Sequence, residues 1–146
     1  MFQAISSPGL VKINDEIPAL KQEVKLLKEK GINIIIAVGH SGYIRDQEIA
    51  KKIPDIDLII GGHSNTFLYN GIEPSIETSI GDYPTVIQIS GGKKVFVAQA
   101  YAYSKYLGSL DFIFDEEGNA ELDGKQNPIL LDAEFPRGKF YRSYQY

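Results

Sequence analysis

Two stretches decide the fold: Ile32-Asn33-Ile34-Ile35-Ile36-Ala37-Val38-Gly39-His40-Ser41-Gly42 and Ile56-Asp57-Leu58-Ile59-Ile60-Gly61-Gly62-His63-Ser64-Asn65. Each is a short, isoleucine-rich apolar run that ends in glycine and histidine. Runs of this length and continuity read as strands buried on both faces, the kind that parallel sheets contain. Between them, Tyr43 to Lys52 reads as a helix with Ile44, Ile49 and Ile53 as its core positions, stopped by Pro54. Strand, helix, strand is a βαβ unit, and such crossovers are almost always parallel and right-handed.

On the N-terminal side, Ile17, Leu20, Val24 and Leu27 recur at helical spacing. Asn14 or Asp15 can cap this helix, Pro18 fits its first turn, and Gly31 ends it. On the C-terminal side the pattern changes. Residues 66–83 are loop-like, with Gly71, Pro74 and Gly81. Thr85 to Ile89, Lys94 to Ala100 and Ser109 to Phe114 read as strands joined by tight turns, one at Gly91-Gly92-Lys93. Asp115-Glu116-Glu117-Gly118-Asn119 is a hairpin-turn pattern. The fold class is therefore α/β, a βαβ unit followed by a β-rich half. Residues 133–146 form a separate aromatic and basic tail, with Phe135, Phe140, Tyr141, Tyr144 and Tyr146 beside three basic residues and no acid after position 134.

The 146 residues amount to one domain with one core. A net charge of −4 argues against a general binder of nucleic-acid polymers, which needs a basic footprint. The absence of cysteine excludes a disulfide framework, a thiolate metal site and a cysteine nucleophile. No apolar run is long enough to span a bilayer, and the first residues do not form a signal peptide.

The chemistry concentrates on the only two histidines, His40 and His63. Each follows glycine just beyond a strand end. Parallel strands open on one edge of the sheet, and that edge is where open α/β sheets bind ligands. The pair can therefore converge and, as imidazoles, ligate zinc or another transition metal. A surface or hydrogen-bonding role for each histidine stands as the alternative. Asn65 can add an oxygen ligand, contact a phosphate, or simply shape a turn. Gly39-His40-Ser41-Gly42-Tyr43 is not a nucleophile elbow, since its fifth position is Tyr43, so Ser41 is not expected to be a nucleophile. No His-Glu-x-x-His helix and no phosphate loop is present. Asp46 reads as a solvated charge on the second helix. Two histidines are half of a catalytic metal site, which normally needs three protein ligands or bridging carboxylates.

Ala37-Val38-Gly39-His40-Ser41-Gly42 and Asp57-Leu58-Ile59-Ile60-Gly61-Gly62-His63-Ser64-Asn65-Thr66-Phe67-Leu68-Tyr69 resemble the 5′-nucleotidase/apyrase family. Tyr83-Pro84, Val97-Ala98-Gln99-Ala100-Tyr101, Lys105-Tyr106-Leu107-Gly108 and Asn127-Pro128-Ile129-Leu130-Leu131 continue the resemblance, which covers residues 5–132.

The resemblance implies a metallophosphoesterase-type αββα sandwich, two mixed sheets between helices, of which residues 1–132 would be the second half of the catalytic domain. It implies hydrolysis of nucleoside 5′-phosphates (AMP, with ADP or ATP in the apyrase subtype) at a site of two divalent metal ions, usually zinc. His40 and His63 would ligate one metal; Asn65 would ligate the other or contact the phosphate. The family's Asp-x-His pair, bridging Asp and Asn-His motif have no counterpart in this chain, so no catalytic acid is assigned and the chain alone is expected to be inactive. The resemblance further implies a small nucleotide as partner, a homodimeric parent enzyme, and a secreted or cell-surface location, although no anchor signal is seen. A non-catalytic protein that binds metal or nucleotide is the alternative. Half a sandwich leaves apolar strand faces and an edge uncovered, so the isolated chain is expected to aggregate, dimerise or require the other half.

Overall fold

The computed structural model describes residues 9–132. The tail assigned to 133–146 lies outside them. The first helix, α1 (Glu16–Glu29), starts at Asp15, whose side chain accepts a 3.0 Å hydrogen bond from the Ile17 N–H. It ends in a Schellman motif: Gly31 takes a φ of 81°, its N–H meets the Lys28 carbonyl at 2.9 Å, and the Ile32 N–H meets the Leu27 carbonyl at 3.1 Å. Ile17 and Val24 are buried, with Leu20 and Leu27 packed beside them.

Next come β1 (Ile36–Val38), α2 (Tyr43–Lys52), β2 (Leu58–Ile60), β3 (Thr85–Gln88) and β4 (Lys94–Ala98). They form a four-stranded sheet in the order β1-β2-β4-β3. β1, β2 and β4 are mutually parallel, with Ile36 opposite Leu58 and Leu58 opposite Phe96; β3 runs antiparallel to β4. The short strands β5 (Tyr106–Leu107) and β8 (Ile129–Leu130) pair with each other, as do β6 (Phe112–Phe114) and β7 (Ala120–Leu122), both pairs antiparallel. The β6–β7 turn forms where the sequence signals it: Asp115 accepts hydrogen bonds from the backbone and side-chain nitrogens of Asn119 at 2.7 and 2.8 Å.

By strand alternation, Ile36, Leu58 and Phe96 share one face of the sheet with Val38, Ile60 and Ala98. That face meets the β6–β7 hairpin, where the Phe96 and Phe112 rings pack edge to face at 4.9 Å. The opposite face packs on the helices. Asp57, at the start of β2 and only 1% exposed, accepts the Ile35 N–H at 2.8 Å and pairs with Lys93 at 3.3 Å.

Two expectations need correction. The run from Ile32 to Val38 is not a strand buried on both faces: only Ile36–Val38 is strand, and Ile36 and Val38 are 52% and 78% exposed. β1 is the edge of the sheet, with no strand on its outer side among the described residues. In α2 the buried stripe is Asp46, Ile49, Ala50 and Ile53, while Ile44 is 78% exposed. The stripe follows i, i+3, i+4, i+7, and Ile44 falls outside it.

Candidate functional site

The three parallel strands stop at one edge, and their last rungs are tied together. Gly39 donates to the Ile60 carbonyl at 3.0 Å, and Gly61 donates to the Ala98 carbonyl at 2.9 Å. The chain then turns out of β1 and β2 into the two histidine loops. His40 and His63 are both exposed there, with ring centres 5.1 Å apart in an edge-to-face arrangement. Asn65 is exposed on the same loop as His63. His63 and Asn65 both lie in the left-handed backbone region, with φ of 69° and 50°. Among residues with a Cβ, Asn and His enter that region more readily than most.

Beneath the loops is a buried polar network. The Gln99 side chain, 3% exposed and one residue past β4, is its centre. Its Nε2 donates to the Gly62 carbonyl at 2.9 Å and to Asp46 Oδ2 at 3.2 Å. Its Oε1 accepts from the Thr66 N–H at 3.0 Å and from Ser64 Oγ at 3.2 Å. The backbone partners fix which amide atom is which, because a carbonyl must face the NH2 and an N–H must face the oxygen. Ser64 Oγ also accepts from the Tyr43 N–H at 3.0 Å, and its other neighbour is Thr66 Oγ1 at 2.7 Å. Ser64 thereby caps the first turn of α2 from another loop, where Gly42 offers no side chain of its own.

Asp46 is not the solvated charge expected from sequence: it is 1% exposed beneath the site. Burial raises its pKa above the ordinary value, the Gln99 hydrogen bond pulls it part of the way back, and the charges of Glu16 and His40 act in opposite directions, Glu16 raising it. Its closest neighbour explains a glycine. A Cβ on Gly61 would lie 2.0 Å from Asp46 Oδ2, and one on Gly62 would lie 2.9 Å from His40 Nδ1. The Gly61-Gly62 pair therefore lets the β2 loop pass between the buried carboxylate and the first imidazole.

Sequence reasoning placed His40, His63 and Asn65 at this edge. It missed Asp46, Gln99, Ser64 and Thr66 as the support beneath. Ser41 is half-buried, and Asp57 sits at the far end of β2. Among the described residues no group of three or more His, Cys, Asp or Glu side chains is placed to hold a metal ion.

No protein-family model matches the chain. Individual proteins do. Human 5′-nucleotidase is 49% identical over 133 residues, which is 90% of this chain and 23% of that protein. A snake venom 5′-nucleotidase of Macrovipera lebetinus is 42% identical over 140 residues, 95% of this chain and 34% of that protein. This chain is a relative of the 5′-nucleotidases. A solved structure, the NAD nucleotidase of Haemophilus influenzae, superposes with a TM-score of 0.78 at 38% identity, over 86% of this chain and 25% of that one. The 5′-nucleotidase relative thus has the α/β metallophosphoesterase-type architecture anticipated from its sequence. It spans about a third or less of the length of the curated 5′-nucleotidases it matches. Among its described residues no helix is long and apolar enough to cross a membrane.

Proposed function

We propose that this chain carries the paired-histidine part of a metal-dependent nucleotide hydrolase site, and that a longer enzyme built around it releases phosphate from nucleoside 5′-phosphates. AMP is the first candidate substrate, with ADP and ATP as the apyrase-type alternatives. The observation that carries the reading is the spacing of His40 and His63. Two imidazoles on one tetrahedral zinc, with Zn–N bonds of about 2.0–2.1 Å, have ring centres roughly 5 Å apart; these lie at 5.1 Å.

His40 and His63 would hold one divalent ion, zinc by preference. Asn65 would hold a second or bind a phosphoryl oxygen through its amide. Such ions supply Lewis acidity to a phosphoryl oxygen and acidify bound water. The chain's own part is to present the two imidazoles side by side, to bring the Asn65 amide onto the same loop, and to keep Gly61-Gly62 slim. The snake venom relatives support a secreted or surface setting, and a homodimeric parent is part of the same proposal.

The lack of a third acidic or histidine ligand among the described residues favours a second reading for the 146-residue chain by itself: metal binding without turnover. Calorimetry with zinc is expected to show weak binding that disappears in His40→Ala, and no phosphate release from AMP. Phosphate release by this chain alone, abolished by His63→Ala, would overturn the view that it needs further residues.

A further inference from the structure

We propose that Gln99, acting with Asp46, is a positioning residue that sets the separation of His40 and His63. The inference deepens the metal-site reading above and rests on it. Gln99 brackets the segment that carries both proposed ligands of the second loop. Its Nε2 holds the carbonyl of Gly62, immediately before His63, and its Oε1 holds the N–H of Thr66, immediately after Asn65. Between those two anchors, His63 and Asn65 adopt left-handed backbone angles, a region uncommon for residues with a Cβ though more open to His and Asn than to most. The remaining Nε2 hydrogen reaches Asp46 in the first turn of α2, the helix that His40, Ser41 and Gly42 lead into. One amide therefore ties the His63 loop to the element that follows His40.

A purely packing role would be filled by an apolar side chain of the same shape. A buried amide instead needs every polar atom satisfied, and here all its partners lie in the His63 loop and in α2, the helix that follows His40. Gln99 touches neither imidazole, so it acts through the backbone. Groups that fix the orientation of metal ligands in this way typically alter metal affinity by about 10–100-fold.

The test uses the 146-residue chain and three variants. Gln99→Met keeps the volume and removes all four hydrogen bonds. Asp46→Ala cuts only the tie to α2. Val97→Ala, buried in β4 with an apolar side chain that makes none of the network's hydrogen bonds, is the stability control. Cobalt(II) titration followed by visible absorption reads affinity and coordination geometry, and 15N-imidazole NMR of the metal-free proteins reads the two rings directly. Gln99→Met is expected to weaken cobalt binding at least tenfold, change the d–d spectrum and shift the His40 and His63 ring resonances. Val97→Ala is expected to lose comparable stability with affinity and spectra unchanged. If Gln99→Met does not fold, Asp46→Ala carries the test, with an expected loss of at least threefold. Affinity within twofold of the parent chain and unmoved ring resonances in the variant would overturn the proposal. If the parent chain binds no cobalt, the metal reading fails, and the ring resonances alone then decide: shifted in Gln99→Met they sustain the positioning role, and unshifted they remove it.

Discussion

His40 and His63 stand 23 positions apart in the chain, yet their rings meet edge to face with centres 5.1 Å apart. The meeting follows from the parallel pairing of β1 and β2, in which Val38 lies opposite Ile60 and both strands release their loops at one edge. Nothing local to either histidine produces it.

The first prediction concerns the glycines that let the loops pass each other. Gly61→Ala would put a methyl group 2.0 Å from Asp46 Oδ2 and 2.9 Å from Gln99 Nε2, both in a buried network. Urea unfolding is expected to show a loss of about 2 kcal/mol or more, since neither partner has room to retreat. Gly62→Ala crowds the exposed His40 ring, at 2.9 Å from Nδ1, and meets the Gly39 carbonyl at an ordinary 3.7 Å. It is expected to lower stability by about 1 kcal/mol or less, while weakening zinc binding more than Gly61→Ala does relative to its stability loss.

A second prediction concerns Asp57, which is 1% exposed and joins the Ile35 N–H to Lys93. Asp57→Ala strands a buried donor and removes the partner of a cation. The expected loss is about 2–3 kcal/mol, discounted because Lys93 reaches solvent. Asp57→Asn keeps an acceptor for Ile35 and is expected to lose about 1 kcal/mol. Equal losses in the two variants by chemical denaturation would contradict this division.

The sheet edge carries a third prediction. Ile36 and Val38 are exposed on β1, whose outer side has no neighbouring strand among the described residues. Apolar side chains on an open edge template association. Sedimentation velocity of the 146-residue chain is expected to show self-association that grows with concentration, reduced in the double variant Ile36→Lys, Val38→Lys. A monodisperse monomer at high concentration would contradict it.

The fourth concerns pH. The Glu77 carboxylate binds Lys105 Nζ and accepts from the Tyr106 hydroxyl at 2.8 Å. Its pKa is lowered, first by the Lys105 hydrogen bond, which outweighs the opposing effect of burial, with a further lowering from the Tyr106 hydroxyl. A carboxyl whose pKa is lower in the folded state stabilises that state above its ordinary value of 4.5, and the contribution fades as pH falls through the lowered value. Limited proteolysis between residues 70 and 82 is therefore expected to accelerate in acid below that ordinary value, and to be fast at all pH values in Glu77→Gln. A parent chain equally protected in acid and at neutral pH would contradict it.

Much of this architecture is legible in the sequence, because apolar runs, glycine punctuation and capping residues are local signals. The Asp15 cap, the Gly31 stop, the βαβ unit and the Asp115–Asn119 turn all follow from neighbours in the chain. What escapes local reading depends on partners far away. The run at Ile36 to Val38 has the composition of a central strand, and only the sheet order shows it to be an edge. Asp46 looks like any helical surface carboxylate, and only the approach of Gln99, 53 positions later, makes it a buried one. Gln99 lies in the Val97-Ala98-Gln99-Ala100-Tyr101 stretch that carries the resemblance, but nothing local to it signals what its side chain holds. Its role appears only once β4 is seen to lie beside β2, with the His63 loop folded over its end.

The central claim is that His40 and His63 together ligate a metal ion, and zinc-edge X-ray absorption of the zinc-loaded chain tests it most directly by counting imidazoles around the metal. The account predicts two imidazoles per zinc in the parent chain and fewer in His40→Ala. Bound zinc surrounded only by oxygen, or a shell unchanged in His40→Ala and in His63→Ala, would contradict it.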